Sequence, residues 1–208
     1  MIYPNFNEEN KLWKKGFRVV VGLDEAGRGP LAGPVVAGAV FIFQKDFSEI
    51  RKIKSVRDSK KINKKKRKEV YDILVNNPKI KWGIGIVSEK VIDKINIFEA
   101  TKLAMKKAIK NLKKKPDFLI LDGNFKIDVP FNQKSIIKAD EKVFSCSMAS
   151  IIAKVTRDKI MDRYHKKYPL YKFNKHKGYP TKMHFKLLKK HGPCKIHRKS
   201  FGPVRLAK

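Results

Sequence analysis

Runs of apolar residues along the chain predict five short strands. The first two, residues 18–23 and 35–43, are rich in valine and flank a turn of glycine and proline. Residues 80–87 place isoleucine and tryptophan at alternate positions, which predicts a strand that buries this face. Two shorter runs, residues 118–121 and 135–138, each come just before an aspartate. The pattern therefore predicts a sheet of short strands.

Polar segments with a helical repeat of apolar residues lie between and after these strands. We expect helices over residues 59–77, 97–113, 142–164 and 181–191. The third of them is rich in small residues, which suits close packing, and Gly192 is placed to end the fourth. Strands first, then alternating helix and strand, indicate an α/β fold: a mixed sheet flanked by helices, with a C-terminal helical extension.

Basic side chains are in large excess. The 208 residues include 50 Lys and Arg against 19 Asp and Glu, a net charge of +31. Such a surplus attracts polyanions, of which nucleic acid is the usual one. A general drift of composition toward lysine would also raise the charge, so its distribution carries more weight. From Arg163 onward no acidic residue occurs, and all five histidines lie in that stretch, which favours a nucleic-acid surface there.

The lack of visible targeting signals and the spacing of the cysteines predict a cytoplasmic protein. No stretch is long and apolar enough to span a membrane, and the first residues lack the features of a signal peptide. Cys146 and Cys194 lack the spacing of a metal site. We expect both to be reduced thiols.

Acidic residues follow the apolar strands. Asp24 and Asp122 each end a strand, and Glu25 follows Asp24 directly. Asp140 comes shortly after the last apolar run. If the strands are parallel neighbours, these side chains meet at one edge of the sheet. Gathered carboxylates repel each other, and a hard divalent cation such as Mg²⁺ or Mn²⁺ removes that repulsion.

Other interpretations of these acids remain open at this point. Any one of them alone is better explained as a turn or helix-cap residue. A metal-binding carboxylate cluster beside a cationic surface indicates phosphodiester chemistry, but this reasoning does not choose among nucleases, polymerases and phosphatases. A non-catalytic, basic nucleic-acid-binding protein would explain the charge, although it leaves the acids at the strand ends without a purpose.

Several motifs resemble those of one enzyme family, type 2 ribonuclease H, the bacterial ribonuclease HII. The longest is LDEAGRGPLAGPVV, residues 23–36. Further matches follow in the family's order: DSKK at 58–61, NIFEAT at 96–101, LDGN at 121–124, ASIIAKVTRD at 149–158, KGYPT at 177–181 and HRKSF at 197–201. Together they span nearly everything from residue 18 to residue 204.

This resemblance implies a fold, an activity and partners. The fold would be a ribonuclease H-like five-stranded mixed sheet, with a catalytic domain over residues 1–165 and, over 166–208, a basic helical extension of the same functional unit. The enzyme would hydrolyse the RNA strand of RNA–DNA hybrids. It would also cut duplex DNA on the 5′ side of single ribonucleotides, leaving a 3′-hydroxyl and a 5′-phosphate. We expect a monomer that contacts no membrane. The sequence leaves open whether a sliding clamp is a further partner.

The resemblance also implies which carboxylates are catalytic. The family's metal-binding and catalytic acids correspond to Asp24, Glu25, Asp122 and Asp140 of this chain. They would bind Mg²⁺ or Mn²⁺. One departure concerns Ala139, where the family usually has glycine. We expect the additional methyl group to shift Asp140 slightly.

Seven positions match the residues that bind substrate in this family: Gly27, Arg28, Gly29, Lys60, Tyr179, His197 and Arg198. The glycine-flanked arginine matches the loop that senses the ribose 2′-hydroxyl, a group that both donates and accepts hydrogen bonds. The tyrosine matches the ring that stacks on the sugar beside the ribonucleotide. The lysine is expected to contact a phosphate, and the histidine–arginine pair either contacts the nucleic-acid backbone or lies on the surface.

The sister type, ribonuclease HIII, is the nearest alternative. That type has an additional N-terminal substrate-binding domain and lacks the glycine–arginine–glycine loop. Because the loop is present here and only a short segment precedes the first strand, the sequence favours type 2.

Overall fold

The computed structural model describes residues 3–53, 56 and 63–207. Its strands form one five-stranded sheet: β1 (Val20–Ala26), β2 (Val35–Ile42), β3 (Ile80–Val87), β4 (Phe118–Asp122) and β5 (Asn132–Ile136). The strand order is β3-β2-β1-β4-β5. Strand β2 is antiparallel to both of its neighbours, whereas β4 is parallel to β1 and to β5. The predicted α/β class and mixed sheet are confirmed.

Helices cover both faces of this sheet. In the described residues they are α1 (Asn7–Lys14), α2 (Phe47–Ile50), α3 (Lys64–Asn76), α4 (Glu89–Asn111), α5 (Ala139–Lys142), α6 (Phe144–Lys167), α7 (Phe173–His176), α8 (Lys182–His191) and α9 (Gly202–Arg205). Short 3₁₀ turns occupy Gln44–Asp46 and Pro169–Tyr171. Among the described helices, none is both long and apolar enough to cross a membrane. Cys146 and Cys194 are free thiols.

Alternate residues of the strands face two separate cores. Val20 and Ile120 belong to the core under α6, whereas Val21 and Leu119 belong to the core under α4. The same alternation places Asp24, four residues after Val20, and Asp122, two residues after Ile120, on the α6 side. The layers are therefore helix, sheet and helix, and the ends of two parallel central strands share one face.

Glycines allow the helices to lie very close to the sheet. A Cβ atom at Gly22 of β1 would lie 2.4 Å from the Ser145 Oγ of α6. A Cβ atom at Gly85 of β3 would lie 1.9 Å from the Ala104 carbonyl oxygen of α4. The prediction that a helix rich in small residues packs closely is confirmed for α6. Its close approach also brings its side chains within reach of the strand ends.

The edge strand β3 buries its glycine face and only part of the predicted face. Trp82 and Ile86 are 36% and 43% exposed, whereas Gly83 and Gly85 are buried beneath α4. The helix backbone lies against the glycine face because no Cβ atom keeps it away. On the predicted face Ile80 is 3% exposed and Ile84 is half-buried, so the alternation of large apolar residues predicted the strand correctly and its buried face in part.

Strand β5 and helix α4 also differ from their predicted bounds. Strand β5 begins at Asn132, ahead of the predicted run, because pairing with β4 rather than apolar character defines this edge strand. Helix α4 begins before the predicted residue 97, but Asn96 interrupts it with φ 63° and ψ 168°. The Asn96 Oδ1 accepts hydrogen bonds from the N–H groups of Phe98 and Glu99 at 2.9 and 3.1 Å. The predicted start therefore coincides with a real helix N-cap.

Candidate metal centre and substrate-binding loops

Three carboxylates from distant parts of the sequence meet at one edge of the sheet. Asp24 lies near the end of β1, and Asp122 is the last residue of the parallel neighbour β4. The residues just before them, Leu23 and Leu121, are paired across the two strands. Asp140 lies in the short helix α5, which follows β5. One oxygen from each of the three side chains lies within 4.8 Å of the others. The structure thus brings together three of the four acids singled out from the sequence.

Burial makes this arrangement costly for negative charge. Asp24 is only 5% exposed and Asp140 only 6%. Burial raises the pKa of Asp24 well above its usual range, and the charges of Glu25 and Asp122 raise it further. A hydrogen bond from Ser150 of α6 acts in the opposite direction on this pKa. The sequence analysis gave Ser150 no role, and only the close packing of α6 on β1 reveals one.

Glu25 borders the group of three rather than joining it. Among the described residues the mutual approach to within 4.8 Å is shown only for the three aspartates, but Glu25 follows Asp24 directly, and its charge contributes to the raised pKa of Asp24. Its Oε1 lies 3.3 Å from the Arg28 Nη1, and its buried Oε2 has no hydrogen-bond partner among the described residues. Burial raises the pKa of Glu25, while the Arg28 guanidinium lowers it.

The backbone beside Asp140 is held by another member of the group. The Asp122 Oδ1 accepts a hydrogen bond of 2.9 Å from the N–H of Ala139. The side chain of Ala139 is fully buried, and Asp140 still lies within the group of three. The methyl group that departs from the family pattern is therefore accommodated at this position.

The donor set fits a hard divalent cation. Three carboxylates supply only oxygen ligands, which is the preference of Mg²⁺ and Mn²⁺. The mutual repulsion that raises the pKa of Asp24 is the repulsion that a cation would relieve. The buried Oε2 of Glu25 is a further oxygen with no protein partner in the described part of the chain.

The loop between β1 and β2 carries Gly27, Arg28 and Gly29 beside this group. The Arg28 side chain is 44% exposed, so its guanidinium is available at the surface. Beneath the loop, the Arg198 guanidinium donates hydrogen bonds to the carbonyl oxygens of Gly27, Arg28 and Gly33 at 2.6, 2.9 and 2.9 Å. A buried arginine from the C-terminal segment therefore fixes the shape of this loop.

A second buried arginine joins this loop to the segment that carries Tyr179. The Arg157 guanidinium of α6 donates hydrogen bonds to the carbonyl oxygens of Pro34, Ala32 and Lys177 at 3.0, 3.1 and 3.0 Å. The ring of Tyr179 is 37% exposed, and its centre lies 5.6 Å from the guanidinium carbon of Arg157. The two arginines thus hold both predicted substrate-binding segments in one rigid arrangement.

Two of the predicted contacts with substrate are placed differently. His197 and Arg198 are 1% and 0% exposed, and hydrogen bonds within the protein engage both of their side chains. Neither side chain is therefore at the surface, as the predicted contact with a nucleic-acid backbone requires. The same sequence motif instead supports the loops from below. Lys60 lies outside the residues that the structure describes.

Comparisons with known proteins agree with this geometry. The family model described as ribonuclease HII matches residues 21–204. A protein named ribonuclease HII from Caldicellulosiruptor bescii is 51% identical over 196 residues, covering 94% of this chain and 92% of that protein.

Two solved structures have the same fold. The crystal structure of ribonuclease H2 from Pyrococcus horikoshii has a TM-score of 0.75 and 27% identity, over 90% of this chain and 96% of that one. The ribonuclease HII in the PCNA complex from Archaeoglobus fulgidus has a TM-score of 0.69 and 26% identity, over 83% and 87%.

Proposed function

The chain belongs to the ribonuclease HII family, and we propose that its three clustered carboxylates form the centre that hydrolyses the RNA strand. Family membership makes it a ribonuclease H, a phosphodiester hydrolase that acts on RNA–DNA hybrids. The observation that carries the proposal is the approach of Asp24, Asp122 and Asp140 to within 4.8 Å. A protein that only binds nucleic acid has no need for buried, mutually repelling acids, and the alternatives are not favoured.

The cofactor of this family is a divalent cation, and we propose Mg²⁺ or Mn²⁺ for this chain. Asp24, Asp122 and Asp140 would hold it, with Glu25 as a further oxygen ligand. When bound, the cation supplies Lewis acidity at the phosphate and an acidified water at neutral pH. Because the pKa of Asp24 is raised, its carboxyl group has to lose a proton before it can act as a ligand.

Recognition of the ribonucleotide is proposed for the Gly27–Gly29 loop and Tyr179. Peptide groups flanked by glycine can approach a sugar closely, and the ribose 2′-hydroxyl can both donate to them and accept from them. The exposed Arg28 guanidinium can bind a phosphate through charge-assisted hydrogen bonds. The exposed ring of Tyr179 offers a flat surface for the neighbouring deoxyribose. These contacts support cleavage on the 5′ side of a single ribonucleotide in duplex DNA.

The C-terminal segment is proposed to act with the catalytic domain as one unit. Arg198 bonds to the carbonyl groups of the Gly27–Gly29 loop, so residues 166–208 contribute to the site built on residues 1–165. We propose a cytoplasmic monomer. The Archaeoglobus fulgidus protein was solved with PCNA, which makes a sliding clamp a candidate partner for this chain.

The decisive test is the cleavage of duplex DNA that contains one ribonucleotide. We expect Mg²⁺-dependent cutting on the 5′ side, with a 3′-hydroxyl and a 5′-phosphate as the product ends. Asp122→Asn should abolish cutting while duplex affinity stays close to that of the parent. Asp128→Asn removes the same charge from a fully exposed side chain and should cut normally. Normal cutting by Asp122→Asn would refute the assignment of the metal centre.

A further inference from the structure

A row of buried hydrogen bonds leads from the C-terminal segment to the backbone of Tyr179. The N–H of Cys194 donates to the Nδ1 of His197 at 2.9 Å. The Nε2 atoms of His197 and His184 are 3.1 Å apart, and the Nδ1 of His184 lies 2.9 Å from the carbonyl oxygen of Tyr179. Both histidines are buried, at 1% and 0% exposure. The catalytic chemistry proposed above makes no use of either ring.

The two ends of this row determine the tautomer of each ring. A carbonyl oxygen only accepts hydrogen bonds, so the proton of His184 is on Nδ1 and its Nε2 has the lone pair. A backbone N–H only donates, so the Nδ1 of His197 has the lone pair and its proton is on Nε2. The Nε2–H of His197 therefore donates to the Nε2 of His184. Every bond in the row has a defined direction, and all of them are compatible.

The surroundings keep both rings neutral. Burial lowers the pKa of His184 and of His197 to about 4. His184 stacks on the ring of His176, with 4.2 Å between ring centres. The ring centre of Phe173 lies 5.7 Å from those of both His184 and His197. Protonation of either ring would place two N–H groups against each other. The row is therefore complete only when both rings are uncharged, as they are at neutral pH.

Other buried groups hold the residues just before Tyr179. The Nδ1 of His176 accepts a hydrogen bond from the N–H of Gly178 at 3.2 Å, and the carbonyl oxygen of Gly178 accepts one from the N–H of Leu31 at 2.8 Å. The backbone is thus fixed on both sides of the Tyr179 Cα atom, whereas the ring itself is exposed. This is the arrangement expected for a ring that has to meet a ligand in one orientation.

We infer that His184 and His197 are positioning residues that set the orientation of the Tyr179 ring toward the sugar of the substrate. The inference rests on the proposed role of Tyr179 in binding. It also explains why the HRKSF motif is buried: His197 supports the Tyr179 segment, and the adjacent Arg198 supports the Gly27–Gly29 loop. Two neighbouring residues thus hold the two segments that would contact the ribonucleotide junction.

Two amide variants of His184 separate positioning from general stability. In His184→Asn, the amide nitrogen takes the place of Nδ1 and can still donate to the Tyr179 carbonyl oxygen. In His184→Gln, the amide reaches the place of Nε2 and can still pair with His197, but the bond to Tyr179 is lost. Each variant is made in the parent and in the Tyr179→Ala background. Thermal unfolding is recorded beside kcat and KM for these four variants, for the parent and for Tyr179→Ala.

The substrate is duplex DNA with one ribonucleotide. We expect His184→Gln to lower kcat by about tenfold to a hundredfold, the range typical of small errors in substrate position. His184→Asn should stay within about threefold of the parent. In the Tyr179→Ala background, His184→Gln should cause no further loss, because the ring that it misplaces is absent. Equal losses in Asn and Gln variants, or an undiminished loss in the Tyr179→Ala background, would overturn the inference.

The cutting rates of Tyr179→Ala and His184→Gln distinguish a failure of the inference from a failure of the proposed function. Normal cutting by Tyr179→Ala overturns the proposed role of Tyr179 and the positioning role with it. Normal cutting by His184→Gln beside a slow Tyr179→Ala overturns the positioning role alone. Imidazole ¹⁵N spectra of the unmodified protein test the row if a variant does not fold. We expect the proton on Nδ1 of His184 and on Nε2 of His197, and the opposite tautomers would refute the row.

Discussion

The buried carboxyl group of Glu9 allows a quantitative prediction. Glu9 lies in α1 and is 1% exposed. Its Oε1 accepts hydrogen bonds from the N–H and Oγ of Ser145, at the start of α6, at 2.9 and 2.8 Å. Its Oε2 is buried and has no hydrogen-bond partner in the described part of the chain. Burial raises the pKa of Glu9 from 4.5 to about 7, although the bonds from Ser145 act against this rise.

The raised pKa links the stability of the protein to pH. Between pH 4.5 and about 7 the folded protein holds a proton on Glu9 that the unfolded chain has lost. The contribution of this group to the free energy of unfolding is therefore complete below pH 4.5 and is lost as the pH rises through about 7. The difference between the two pKa values corresponds to about 3 kcal/mol, at about 1.4 kcal/mol per pKa unit.

Glu9→Gln should remove this dependence on pH. The amide oxygen can still accept both bonds from Ser145, and the side chain stays uncharged at every pH. At pH 8.5 we expect urea unfolding to give the variant a free energy of unfolding up to about 3 kcal/mol above that of the parent. At pH 4.5 the two proteins should unfold at nearly the same urea concentration. Cutting should be unchanged, because Glu9 lies outside the catalytic machinery.

The adjacent Glu8 provides a control with the opposite sign. Its carboxylate forms ion pairs with Lys11 and Lys134, which lower its pKa. Its contribution to stability is therefore present above pH 4.5 and is lost as the pH falls through its lowered pKa. Glu8→Gln should lower the stability at pH 8.5. If the difference between the parent and Glu9→Gln is the same at pH 4.5 and pH 8.5, the reasoning from burial is refuted.

Two further predictions concern the site. Without metal at pH 8, Asp24→Asn should unfold at a higher temperature than the parent, because a group with a raised pKa destabilises the folded protein once the pH is high enough to ionise it. Addition of Mg²⁺ should then raise the unfolding temperature of the parent only. Equal rises in both proteins would contradict the metal assignment. Arg198→Lys should lower the free energy of unfolding by about 2–4 kcal/mol, since one ammonium cannot replace three guanidinium bonds to buried carbonyl groups. A urea titration with Lys199→Ala as the control measures this loss, and equal midpoints would refute it.

The sequence predicted the positions of two of the three acids because each of them directly follows a run of apolar residues that forms a strand. The apolar runs that precede Asp24 and Asp122 form the neighbouring strands β1 and β4, and parallel pairing brings these two residues to the same edge of the sheet. Asp140 was harder to place, since it lies in a short helix after an edge strand that is defined by pairing and not by apolar residues. The shared face of the three acids follows from the strand alternation once the register is known.

Buried cations account for most of what the sequence did not predict. Arg157 and Arg198 are both 0% exposed, and the hydrogen bonds described for their guanidinium groups all go to backbone carbonyl oxygens. Such partners leave no trace in periodicity or in charge pairing, and the high number of basic residues in the chain favours an assignment to the surface. The same limit applies to His184 and His197, whose partners are defined only by the folded backbone.

The long sequence separation between the parts of the site has a consequence for synthesis. Asp24 leaves the ribosome early, whereas Asp140 and Arg198 emerge much later. A nascent chain that has not yet exposed β4 and α5 contains the first acid but not the other two members of the proposed metal centre. The proposed nuclease therefore becomes active only after most of the chain has emerged, and a product that terminates before α5 lacks one of the three acids.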